Sequence, residues 1–571
     1  MTEATQRMAD LIAAARGGQP VDLLVRDVRL VNVLSGEIHP AHVAVKDGVI
    51  IGFEEYDAGM VVEAGGRFCV PGLIDGHIHI ESSLLTPSRF AEIAARHGTA
   101  AVICDPHEIA NVMGGAGIEY MLAASEGLPL SVFVMMPSCV PATHMESAGA
   151  VLTDADLRDF FSRYPERILG LAEMMNYPGV LSGDAGVLAK LAVAGDRVID
   201  GHAPLLTGRD LNAYLIAGPA SDHEATTVAE AREKLRKGMH LFIREGSQEH
   251  NMLELIGVLN DFNSQRTSFV CDDRLVDDLL GRGHVDDILR RAMAAGLPPV
   301  RAVQMATINS ARYFRLQHRG AVAPGYRADF VLLDDLETFA ITDCYLSGRR
   351  VAECNFSAAV PFTASTMRVA NLAAEVLRVP AEEGRLRVIG LIPGQIITEH
   401  LLCEAKVDDG NAVADPGRDL AKLAVFERHR ATGNVGLGFV TGLGLARGAL
   451  AGTVAHDSHN LIVAGMDDGD MLIAAREVER LGGGLAVACG GRVLAALPLP
   501  VAGLMSDAPA AQVLAGLQAV NAVLAGLGYT LKSPFAALSF LALPVIPALK
   551  LTDRGLVDVN RFEIVPLWTR V

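Results

Sequence analysis

The sequence predicts an α/β protein: a (β/α)8 barrel inserted in a small β-sandwich, followed by a C-terminal α/β domain. Three observations predict it. Residues 21–70 alternate apolar and polar side chains between Gly and Asn turns, the period of antiparallel strands. From 72 to about 315, eight short apolar runs alternate with Ala- and Leu-rich stretches, the texture of repeated βα units. At 325–351 ("GYRADFVLLDDLETFAITDCYLSGRRV") strand texture returns, so the sheet begun before the barrel is completed after it.

Taken in order, residues 1–20 ("MTEATQRMADLIAAARGG…") read as a polar amphipathic helix without the hydrophobic centre of a secretory signal. Residues 21–70 and 318–352 form the β-sandwich, and 71–317 form the barrel. The eight barrel runs lie near 73–80, 99–104, 130–136, 167–174, 197–202, 217–222, 239–244 and 267–272. Helical stretches at 87–97, 153–163, 225–237 and 284–296 separate several of them. A doubly wound open sheet would carry a Gly-rich phosphate loop after its first strand, and none follows here. Residues 352–379 read as a connector, and 380–571 as a further α/β domain rich in Gly and small apolar residues.

Composition excludes several function classes. The formal net charge is −18, which argues against binding nucleic acid through phosphate contacts. The most apolar stretches, near 485–505 and 534–549, are interrupted by Gly, Pro or Arg, so no membrane span is expected. Eight cysteines without CxxC spacing suit reduced thiols in the cytoplasm better than a disulfide framework. Half the residues are apolar, enough for large cores, and the acidic, apolar-rich balance is compatible with a homodimer.

Chemistry in such barrels gathers at the C-terminal ends of the strands. The first run, "PGLIDGHIHIESS" (71–83), ends in His77 and His79, with Asp75 before them and Glu81 after. On a strand, residues i and i+2 share a face, so the two imidazoles project together. Paired imidazoles commonly hold a metal, although one His-x-His alone is as often two hydrogen-bonded residues at a strand end. The remaining strand ends carry His107 and Glu108; Glu173; His202; His223 and Glu224; Arg244, Glu245 and Ser247; and Asp272 and Asp273. Independent surface residues would have to coincide on one rim to produce this set. Four histidines and two carboxylates can hold two divalent ions, with Glu173 between them and Asp272 able to take a proton from an activated water.

The same residues carry a family resemblance. "PGLIDGHIH" resembles the first-strand signature of the amidohydrolase superfamily, and the flanking β-sandwich pieces match its layout. Within it the chain resembles the bacterial adenine deaminases through "PGLIDGHIHIESS", "DPHEIANV", "GHAP", "SDHE", "REGS" and "DDR". Beyond the barrel it does so through "HDSHN", "LPLPVAGLMSD" and "LSFLALPVIPALKLTDRGL". The resemblance implies hydrolysis of adenine by water to hypoxanthine and ammonia, with a metal-activated hydroxide attacking C6. It implies metal ligation by His77, His79, Glu173, His202, His223 and Asp272, with Glu173 in the place that a carboxylated lysine fills in many superfamily members. It also implies manganese or ferrous iron, while nitrogen and oxygen ligands without a thiolate also suit zinc.

Other roles stay open at this level. Asp272, Glu224 and Glu81 are candidate proton carriers, and Glu224 is equally suited to orienting a histidine. His107 and Ser82 are candidate substrate contacts, His107 alternatively a support for the rim. Arg244 and Glu245 either read the purine edge or pair with each other, and Asp273 supports Asp272 or exchanges roles with it. The stretch "HDSHN" (456–460) either helps close the pocket or is a polar turn with capping residues. The competing readings are an amidohydrolase for a cyclic amide or another amino-heterocycle, and a non-catalytic scaffold that keeps the fold.

Overall fold

A computed structural model describes residues 2–357, 360–393 and 395–569. Met1 and residues 570–571, the outer ends of the first and last expected segments, lie outside the described residues.

The barrel strands are Leu73–Ile78, Thr99–Cys104, Ser131–Met136, Ile168–Met174, Val198–Gly201, Ser221–Asp222, His240–Arg244 and Thr267–Val270. The first five form one parallel sheet and the last three another. Two seams close the ring. The Ala220 N–H donates to the Ile199 carbonyl at 2.9 Å, and the tip of strand eight pairs with strand one as a parallel bridge between Asp272 and Ile78. Inside, Ile74, Ile103, Met135, Phe242 and Val270 pack as an apolar plug, so the barrel is a filled core and its chemistry is confined to the rim.

Strand six is only two residues long, shorter than its apolar run suggests. The preceding helix, Gly208–Ile216, extends to the start of that run. Gly218 then turns at φ 123°, and Pro219 supplies no amide for a ladder. Helices Pro87–Arg96, Asp154–Arg163, Val228–Arg236 and Val285–Ala294 fall on the expected stretches. The second opens with a capping box, the Thr153 side chain bonding the Asp156 N–H and the Asp156 carboxylate bonding the Thr153 N–H.

The sandwich is one connected eight-stranded sheet. Phe68–Pro71, which leads into the barrel, pairs antiparallel with Phe330–Asp335, which leaves it. A register shift between Val25 and Val28 in the longest strand bends the sheet over a core of Leu23, Val43, Phe330 and Tyr345. The C-terminal part is a nine-stranded, largely antiparallel sheet with helices Asp468–Arg480 and Ala510–Gly526. Its docking places the HDSHN stretch over the barrel mouth. Asn460 Nδ2 donates to the Ser147 carbonyl at 2.8 Å, and the Ser147 N–H donates to Asp553 at 2.8 Å. Among the described residues no helix is long and apolar enough to cross a membrane.

Candidate active site

The strand period does the first part of the work. His77 and His79 point to the same face, with ring centroids 4.9 Å apart. The seam with strand eight brings Asp272 between them. The Asp272 N–H donates to the His77 carbonyl at 2.9 Å, and the His79 N–H to the Asp272 carbonyl at 3.2 Å. Asp272 turns there at φ 59°, a left-handed conformation that Asp tolerates better than most residues. Its Oδ1 then lies 3.4 Å from His77 Nε2 and 3.1 Å from His79 Nε2.

Glu173, at the end of strand four, reaches both sides of the rim. Its Oε1 lies 3.3 Å from His79 Nε2 and 3.8 Å from His77 Nε2. Its Oε2 lies 2.6 Å from His202 Nδ1 and 3.3 Å from His223 Nε2. Thus one carboxylate divides its oxygens between two histidine pairs. Burial alone would raise the Glu173 carboxyl, but His202 and His223 outweigh it and hold the group well below the usual carboxylate range. Burial likewise opposes ionisation of Asp272. The approach of His77 and His79, then the Arg244 charge, holds it low.

Arg244 does not pair with Glu245. Its guanidinium contacts Glu224 with both terminal nitrogens and Asp272 Oδ2 at 2.8 Å. Glu245 faces the other way: its carboxylate accepts the Met252 N–H at 2.9 Å and meets His250 and Arg291. Of the expected site residues, Glu245 is the one that the fold keeps away from the cluster, because successive residues on a strand point to opposite faces. Glu224 Oε1 lies 3.4 Å from His223 Nε2 and 3.7 Å from His202 Nδ1.

Around this centre stands a second circle. His107 Nδ1 is 3.0 Å from Asp105 and 3.7 Å from Glu173, so the ring sits beside the cluster. Ser82 donates its hydroxyl to Glu108 at 3.0 Å and also contacts Asp273. Glu81 is buried beside Glu108. Its Oε1 accepts the Ile109 N–H at 3.3 Å while Oε2 has no hydrogen-bond partner, and burial together with Glu108 pushes its carboxyl up to about 8. Asp75 is no part of the rim. It accepts the Cys271 N–H at 3.1 Å and faces His284 Nε2 at 3.0 Å, bracing strand one against strand eight.

Sequence reasoning passed over several residues that shape the site. Asn251 holds strands six and seven together, accepting the Arg244 N–H at 2.8 Å and donating to the carbonyls of His223 and Ala225. Asp105 orients His107 through both its backbone and its ring. Asp222 accepts the N–H groups of Ala203, Glu224 and Ala225, tying the loops after strands five and six. One signal was available: Asp precedes His by two at Asp75–His77, Asp105–His107 and Asp200–His202.

The donor set fits divalent ions. His77, His79 and Asp272 form one buried group, and His77, Glu173 and His223 another. His77 Nε2 is fully buried with no hydrogen bond, an arrangement that costs free energy unless something else meets it. Imidazoles and carboxylates without thiolates suit first-row divalent metals.

Residues 68–351 match the family model described as the amidohydrolase family, and residues 395–563 match that described as the adenine deaminase C-terminal domain. A protein of Oleidesulfovibrio alaskensis named adenine deaminase is 70% identical over 564 residues, covering 98% of this chain and 99% of its own. Proteins of the same name from Nitratidesulfovibrio vulgaris and Desulfatibacillum aliphaticivorans are 50% and 48% identical. The first match covers 97% of this chain and 98% of its own, the second 98% and 99%.

Proposed function

We propose a mechanism for a chain that belongs to the adenine deaminase family of the amidohydrolase superfamily and catalyses the hydrolytic deamination of adenine to hypoxanthine and ammonia. The observation that carries the site assignment is the division of Glu173 between two histidine pairs. In this reading His77, His79 and Asp272 would hold one divalent ion and His202 and His223 a second, with the Glu173 carboxylate available to both. Manganese or ferrous iron is the expected metal, with zinc also accommodated by the donor set. Such ions supply Lewis acidity, which makes water a nucleophile near neutral pH.

The protein's own groups then handle protons. Water oxygen bonds to C6 of adenine, and Asp272, kept ionised by Arg244, takes the proton that this oxygen gives up. We assign protonation of the ring nitrogen next to C6 to Glu81, whose Oε2 is committed to no other group, whereas Glu224 is held by Arg244. Asp272 returns its proton to the exocyclic amine. The C6–N bond breaks, ammonia leaves, and the C6 oxygen passes its remaining proton back to the Glu81 carboxylate as it becomes the carbonyl of hypoxanthine. His107 and Ser82 flank the base in this reading, Glu224 orients His202 and His223, and Glu245 supports the wall behind them.

The same proposal divides the chain at residues 20, 70, 317 and 352, with the last unit from 380, and takes the enzyme to be a cytoplasmic homodimer. Its test is the loss of adenine matched mole for mole by ammonia; metal-loaded protein that leaves adenine intact but hydrolyses a cyclic amide would replace the substrate assignment.

A further inference from the structure

The HDSHN stretch is not used by the mechanism above, yet it lies against the site. His456 Nδ1 is 3.3 Å from Glu108 Oε1, the same oxygen that accepts the Ser82 hydroxyl at 3.0 Å. Its backbone N–H is held by Ser539 Oγ at 3.2 Å, and its ring stacks on Phe540 at 4.8 Å with an interplanar angle of 14°. His456 and Phe540 line a cleft together with Ser82, Ser247 and Asp273 of the barrel. Asp457, next to His456, lies 3.7 Å from His107 Nε2, and His107 Nδ1 lies 3.7 Å from Glu173, so this end of the cleft stands beside the metal-ligand cluster. Among the described residues Nε2 of His456 makes no hydrogen bond.

Glu108, His456 and His459 together have the composition of a further metal site. The tautomer argues otherwise. His459 Nδ1 accepts the Ala455 N–H at 3.2 Å, so the proton of the neutral ring sits on Nε2 and blocks the lone pair that faces Glu108. The orientation of His456 is set instead by Ser539 at its backbone, Phe540 on its ring face and the Glu108 carboxylate beside Nδ1.

We propose that His456 is a substrate-contacting residue donated by the C-terminal part of the chain, and that it recognises the N–H of the purine five-membered ring. With the Nδ1 proton directed at the Glu108 carboxylate, the lone pair of a neutral ring lies on Nε2 and accepts an N–H. With C6 at the metal-ligand cluster, the five-membered ring is the part of the base that extends along the cleft toward His456, between Phe540 and the polar barrel wall. The site then selects the free base, because a substituent on N9 removes this N–H and meets the aromatic wall. The inference rests on the deaminase reading above.

The experiment is steady-state kinetics on the metal-loaded full chain, with 9-methyladenine as a competitive inhibitor. For H456A we expect KM for adenine to rise on the order of tenfold, with a smaller change in kcat, as for a lost buried hydrogen bond. H456Q, which keeps an acceptor, should recover part of that loss. The preference for adenine over 9-methyladenine should collapse in H456A, a change that a purely structural role would not produce. Bound metal is measured in every variant. An H456A enzyme with unchanged KM and unchanged preference would overturn the inference while leaving the deaminase reading intact. Wild-type enzyme inactive on adenine would overturn the reading itself.

Discussion

Arg244 is the residue whose role is least like its place in the sequence. It is buried between Glu224 and Asp272, carboxylates from strand six and strand eight, and compensates both. Removing one partner of a buried ion pair leaves an uncompensated charge and costs about 3–5 kcal/mol. Arg244→Met should therefore lower the melting temperature of the metal-free protein by several degrees and impair deamination, and calorimetry would show it. An unchanged melting temperature would mean that Arg244 does not carry this load. The histidines of the rim were legible from the sequence because strand period alone puts His77 and His79 on one face. The partners of Arg244 were not, because they come from neighbouring strands and depend on which side chains meet across the barrel. Glu245, adjacent in sequence, is its least available partner for the same reason.

At the scale of elements, the apolar runs located seven of the eight barrel strands nearly in full. The exception, strand six, lost its length to the Gly218–Pro219 turn, a local backbone effect that an apolar run does not reveal. The contact of the C-terminal sheet with the barrel was not legible, since no periodicity encodes which loop meets which domain. A shared apolar core joins the two, and hydrogen bonds across it include the Ser147 N–H to Asp553, Asn460 to the Ser147 carbonyl, and the Thr552 hydroxyl to the Met145 carbonyl at 2.6 Å. Asp553→Ala leaves the Ser147 N–H without its acceptor, at a cost of about 1–3 kcal/mol. Faster amide exchange in segment 143–150 is the expected result. Exchange unchanged there, with the protein folded, would show that the loop is held by other contacts.

At the scale of the whole molecule, the carboxylates of the rim are not the only groups that set stability against pH. Burial, and Arg266 nearby, hold the His240 imidazole down at about 3, and burial with Arg428 does the same for His429. In the unfolded chain both rings ionise near 6.5. Between about 6.5 and 3 the unfolded state therefore binds more protons, so stability falls as the pH drops through that window. Melting temperatures measured from pH 7 to pH 4 should decline, and His240→Gln should decline less steeply. Parallel curves for the two proteins would contradict the assignment. The overall architecture was legible because it rests on repeated patterns. The candidate ligands were legible at several strand ends because chemistry in such barrels gathers there, whereas the approach of the HDSHN stretch to Glu108 emerges only from the tertiary structure.

The central claim is that adenine deamination depends on divalent ions shared by the two histidine pairs through Glu173. The most direct measurement is a titration of chelator-stripped protein with manganese, following bound metal, adenine absorbance and ammonia together. Activity should rise with bound metal and level at two ions per chain, with ammonia equal to adenine lost, and Glu173→Ala should remain folded yet bind less metal and stay inactive. Full activity in stripped protein, or in folded Glu173→Ala, would contradict the account.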